Sequence, residues 1–183
     1  MVSTFDRSGT ALLVIDVQAG VVGDAYQRDE VVANINTAIA KARAASVPVI
    51  WVQHADEWMA VDSDDWQLVT ELVPVDGDPF IRKSYKSSFE STNLDDVLAD
   101  LGVGHLVITG AQSDNCVRHT THAALERGYD ITLVEDAHTT SDGEWEHRPI
   151  LAHTIIDELN RSFHDYDVPG RRTVGTSVAA LTF

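Results

Sequence analysis

Four short, nearly apolar runs recur along the chain, at residues 11–15, 47–52, 105–109 and 130–134. Continuous apolar runs of this length, rich in Val, Ile and Leu, predict strands buried on both faces, as in a parallel sheet. Pro48 stands near the start of the second run, where a strand tolerates it. Between the runs the apolar period changes. Val31, Val32, Ile35, Ala38, Ile39 and Ala42 follow helical spacing behind Asp29, which reads as the cap. Asn93 reads the same way ahead of Leu94, Val97, Leu98 and Leu101. A helix over 117–127 ends at Gly128 in the C′ position, and another over 150–159 opens on Pro149. Glu135 and Asp136 close the fourth strand, and Thr173 and Val174 predict a short last one.

Strands alternating with helices predict an α/β fold, a three-layer α/β/α sandwich with a mostly parallel, about six-stranded sheet. Its crossovers should be right-handed, and residues 1–183 read as a single domain. Sites in such sheets form outside the carboxyl ends of the strands. Asp16, His54, Gly110 and Asp136 each follow an apolar run, so one sheet edge gathers an acid, a histidine and the loop that carries Cys116. Residues 55–92, with Trp58 and Trp66, are less regular. An insertion of that kind is where substrate recognition is expected.

Composition narrows the partners. The formal net charge is −16, with 44% hydrophobic residues. So acidic a surface repels nucleic acid and anionic membranes, and neither is expected as a partner. No apolar run approaches a membrane span. Residues 1–7 lack the charged-then-apolar build of a signal peptide. The one cysteine excludes an internal disulfide, and together these features predict a cytoplasmic protein.

That cysteine, Cys116, lies between an apolar strand and a helix. A thiol at the mouth of a helix is placed where amide dipoles favour the thiolate, the nucleophilic form. Asp16, at the end of a wholly apolar run, needs a partner if buried. Near a thiolate it also needs a cation, and Lys83 and Lys86 are the candidates.

The ordered set of motifs resembles the isochorismatase-like cysteine hydrolases from about residue 10 to about residue 160. It comprises Leu13-Val14-Ile15-Asp16-Val17-Gln18, then Lys83 ahead of Ser87-Ser88-Phe89-Glu90-Ser91-Thr92-Asn93-Leu94. The third block is Gly110-Ala111-Gln112-Ser113-Asp114-Asn115-Cys116-Val117, followed by Thr120, Ala123 and Gly128-Tyr129-Asp130. The last is Val134-Glu135-Asp136-Ala137-His138-Thr139-Thr140. The resemblance implies a triad of Asp16, Lys83 and Cys116, with spacing to Ser87 and Phe89 favouring Lys83 over Lys86. It implies a cis peptide joining Ala111 to Gln112, and an oxyanion hole from the N–H groups of Gln112 and Cys116. The chemistry implied is cleavage of an amide or lactam C–N bond of a small molecule through a thioester. Gln18, His54, Phe89, Asn115 and His119 are the candidates for substrate contact, and a homodimer or homotetramer is the expected assembly.

Some residues depart from the pattern. Nicotinamidases of the superfamily carry an Asp-x-His pair and further histidines that hold a metal. Here the stretch reads Val52-Gln53-His54-Ala55-Asp56-Glu57-Trp58, with only His54 suitably placed, so neither metal nor cofactor is expected. Ser113 stands where Thr is usual. Phe89, Trp58 and Trp66 are candidates for an aromatic pocket wall, with plain core as the alternative. Three other functional readings stay open: vinyl ether hydrolysis, a Cys-His hydrolase using His54 or His138 as base, and a redox-responsive protein on the same scaffold.

Overall fold

The computed structural model describes residues 4–164, 166 and 168–183. Residues 1–3, on which part of the leader reading rests, lie outside them. In chain order the elements are β1 (Gly9–Ile15), α1 (Ala19–Val22), α2 (Arg28–Ala44), β2 (Val49–His54), β3 (Phe80–Lys83), α3 (Leu94–Asp100) and β4 (Val103–Ala111). A π-helical turn (Ser113–Val117) then leads into α4 (Arg118–Glu126), β5 (Asp130–Thr139), β6 (Gly143–Trp145), β7 (Arg148–Ile150), α5 (Ala152–His164) and β8 (Thr173–Thr176).

Six strands form one sheet in the order β3-β2-β1-β4-β5-β8. All five pairings between neighbours are parallel, so the sheet is more uniform than the mostly parallel one expected. β6 and β7 form a separate antiparallel hairpin. The apolar runs of β1 and β2 are buried on both faces, and successive side chains enter different cores. Leu12, Val14 and Trp51 pack with Val32, Ile35 and Ile39 of α2. Leu13, Ile15, Ile50 and Val52 pack with Leu94 and Leu98 of α3, Ala124 and Leu125 of α4, and Leu159 and Phe163 of α5. Among the described residues no helix is long and apolar enough to cross a membrane.

Several local readings are corrected. β3 falls inside the stretch read as irregular. α2 begins at Arg28 behind Gln27, whose φ is +49°, so Asp29 sits in the first turn rather than at the cap and pairs with Arg28 at 2.9 Å. Asn93 holds the cap position but its side chain makes no capping bond; the Leu94 N–H donates instead to the Thr92 hydroxyl at 3.3 Å. Pro149 belongs to β7, and α5 starts later, where Asp142 Oδ1 accepts from the Ala152 N–H at 2.7 Å. β5 runs on through Glu135 and Asp136, because a register shift between Ile108 and Gly110 lets the strand resume beside β4 at His138. Asp136 Oδ1 then accepts from the Val178 N–H at 2.7 Å, which ties down the C-terminal segment.

Candidate active site

Parallel pairing in near-level register brings distant segments to one edge. Ile15 pairs with both Val52 and Gly110, and His54 pairs with Lys83. Asp16 follows β1 directly, with a φ of +51° that Asp adopts more readily than most residues. Lys83 is the last residue of β3. Cys116 stands in the π turn two residues before α4, a kind of irregular turn that recurs at functional sites. The peptide joining Ala111 to Gln112 is cis.

Three of these side chains meet. Lys83 Nζ lies 2.6 Å from Asp16 Oδ2 and donates to Cys116 Sγ at 3.2 Å. It also donates to the Tyr85 carbonyl at 3.2 Å. Lys86 is exposed and stands on the wall of the adjoining cavity, so Lys83 is the lysine that touches both partners. Burial pushes the Asp16 carboxyl above the ordinary range, against the pull of Lys83. Burial, and then the Asp16 charge, push the Cys116 thiol up to about 12, with Lys83 opposing. The thiolate favoured at a helix mouth is therefore opposed here by desolvation and by the neighbouring carboxylate.

A cavity of about 440 Å³ opens over this group, lined by Asp16, Val21, His54, Asp56, Ser84, Tyr85, Lys86, Gln112, Asn115 and Cys116. Its size suits a small molecule. His54 Nε2 lies 3.0 Å from Asp56 Oδ2, and His54 Nδ1 lies 3.4 Å from Lys83 Nζ. The hydrogen bond from His54 holds the Asp56 carboxyl below its ordinary range. Among the described residues no group of three or more His, Cys, Asp or Glu side chains is placed to hold a metal ion.

Other candidates fall elsewhere. Phe89 is buried and packs against Tyr129, ring centroids 5.8 Å apart, so it is core. Gln18 is buried and bonds to the backbone of His54 and Trp66. His119 is exposed on α4, its Nδ1 2.7 Å from the Asn115 carbonyl. Trp58 is 86% exposed. Trp66 lines a larger cavity of about 630 Å³ beside β3, with Phe80 and Arg82, away from the thiol. His138 is buried between Ser113 Oγ and Asn160 Oδ1, each 2.8 Å away, and burial pushes its pKa down to about 4. With both nitrogens engaged it is no base for Cys116. Sequence reasoning missed Asp56, Ser84 and Tyr85, which carry no motif signal and reach the cavity only through the path of the loops after β2 and β3.

The Isochorismatase domain family matches residues 10–154. The chain belongs to the isochorismatase family. It is 36% identical over 142 residues to streptothricin hydrolase of Streptomyces noursei, a match covering 74% of this chain and 56% of that protein. The chain thus spans about half the length of this curated relative. Its fold is similar to that of an isochorismatase from Pseudomonas putida KT2440, with a TM-score of 0.84, 27% identity, and coverage of 98% of this chain and 92% of the other. N-carbamoylsarcosine amidase from Thermoplasma acidophilum is also similar, with a TM-score of 0.73, 25% identity, and coverage of 95% and 99%.

Proposed function

We propose that this isochorismatase-family chain is a cysteine amidohydrolase that cleaves a C–N amide or lactam bond of a small molecule through a thioester. The observation that carries this reading is the buried contact of Lys83 with both Asp16 and Cys116, two residues that line a ligand-sized cavity. Two similar proteins, one named a streptothricin hydrolase and the other an N-carbamoylsarcosine amidase, support it.

The group of three has no net charge with Asp16 ionised, Lys83 protonated and Cys116 a thiol. Moving the thiol proton to Asp16 keeps that neutrality, so a thiol with a raised pKa can still deliver a nucleophile without exposing a lone charge. Cys116 Sγ then attacks the amide carbon, and the N–H groups of Gln112 and Cys116 receive the oxyanion. Asp16 passes its proton to the departing amine as the C–N bond breaks. Water then attacks the thioester while Asp16 takes its proton, the C–S bond breaks, and the proton returns to sulfur.

The test is ammonia or amine release across primary amides, ureido acids, nicotinamide and basic lactams, with Cys116→Ala as control. Turnover that disappears in the variant supports the reading. No turnover on any of them, with Cys116 still reactive, rejects the amide in favour of ether hydrolysis or a redox role.

A further inference from the structure

The cavity holds a second polar arm that the scheme above leaves without a task. It runs from Asp56 through His54 to Lys83. An ammonium offers only donors, so His54 Nδ1, 3.4 Å from Nζ, is the accepting nitrogen. The ring proton therefore sits on Nε2 and is donated to Asp56 Oδ2 at 3.0 Å. Asp56 is itself braced, its Oδ1 accepting from the N–H groups of Trp58 and Met59 at 2.9 and 2.8 Å. The His54 backbone is clamped by Gln18, whose Oε1 accepts from the His54 N–H at 2.8 Å and whose Nε2 donates to the His54 carbonyl at 3.0 Å. The imidazole is thus held at both its backbone and its ring.

Lys83 has three N–H bonds and four neighbours: Asp16, Cys116, the Tyr85 carbonyl and His54. The carboxylate attracts it most strongly. Without the Tyr85 and His54 acceptors the ammonium would settle on Asp16 and draw away from sulfur.

We propose that His54 is a positioning residue for Lys83: the neutral ring, oriented by Asp56 and clamped by Gln18, receives one N–H of the ammonium and keeps it beside Cys116 Sγ. This rests on the reading of Lys83 as the cation that serves the nucleophile. The charged and titratable groups that line the cavity with His54 are Asp16 after β1, Asp56 after β2, Tyr85 and Lys86 in the loop after β3, and Cys116 in the π turn, and Lys83 on β3 reaches the ring itself.

Cys116 is the only cysteine, so its alkylation by iodoacetamide, followed by mass at fixed pH, reports its environment without a substrate. Lys83→Met and His54→Leu are each expected to slow alkylation by about fivefold or more. The double variant should be no slower than Lys83→Met alone, since His54 acts through Lys83. His54→Asn, which sets a carbonyl oxygen near the Nδ1 position, should recover most of the loss. A wild-type rate in His54→Leu, or the same slowing in the Lys83→Met background, overturns the proposal. Should circular dichroism show that His54→Leu does not fold, Asp56→Asn replaces it. About twofold slowing that vanishes in the Lys83→Met background then supports the proposal, and slowing that persists there overturns it. A wild-type rate in Lys83→Met overturns the role of Lys83 as well, whereas slowing in Lys83→Met with none in His54→Leu overturns this inference alone.

Discussion

The Lys83 ammonium lies 2.6 Å from the Asp16 carboxylate, and the two side chains are 0% and 1% exposed. Each charge is tolerable in the interior only because the other is present. Removing one partner of a buried pair leaves an uncompensated charge, which costs about 3–5 kcal/mol, whereas removing both is far milder. Asp16→Asn and Lys83→Met should therefore each lower stability by roughly that amount in urea denaturation, and the double variant should lose less than the sum. Additive losses would show that the two side chains do not act as a pair.

The Cys116 thiol, pushed up to about 12, sets a pH limit of its own. In the unfolded chain this thiol ionises near its ordinary value of 9.0. Above that pH the unfolded state has released a proton that the folded state still holds, so stability falls as pH rises from about 9 towards about 12. In denaturation series across that window, Cys116→Ala should lose less stability than the wild type. Alkylation of the unliganded protein should keep rising with pH and show no plateau below pH 10.

His138 predicts the opposite slope. Burial holds it at about 4, below its ordinary 6.5, so the unfolded chain takes up a proton first as pH falls. Stability is complete above about 6.5 and is lost progressively as pH drops towards about 4, by an amount on the order of 3 kcal/mol. His138→Gln, measured by denaturation midpoint from pH 7 to 4, should flatten that limb. An unchanged limb would mean that other groups govern acid stability.

Gly110 carries the close approach of β4 to β1. Its φ is +122°, and an added Cβ would lie 2.0 Å from the Ile15 carbonyl oxygen. Neither the conformation nor the backbone contact can accommodate a side chain. Gly110→Ala should cost about 3 kcal/mol or more, with a matching fall in thermal midpoint. A near-neutral result would require β1 and β4 to separate at this point.

The order of strands and helices was legible because each buried strand announces itself as an apolar run and each helix as a 3.6-residue period. β3 was not, for Phe80 to Lys83 alternates exposed and buried positions at the sheet edge and has no apolar run to mark it. The cap read at Asp29 failed because a cap is a matter of backbone angle, and the chain enters α2 through Gln27 instead. At the site, Asp16 was legible from its place at a strand end and Cys116 from its place between a strand and a helix. Lys83 rested on resemblance, since an isolated lysine has no pattern that sets it apart from its neighbours.

By itself the sequence determined the α/β layering and the edge of the sheet at which Asp16, His54 and the loop of Cys116 gather. These follow from local periodicity and from residue type. The tertiary structure alone decided which side chains meet: parallel register sets Lys83 beside His54, and chain paths bring Asp56 to its ring and Gln18 to its backbone. It also decided the surroundings of the thiol. Burial and the charge of Asp16 both disfavour its ionised form, and both depend on contacts between residues far apart in the chain.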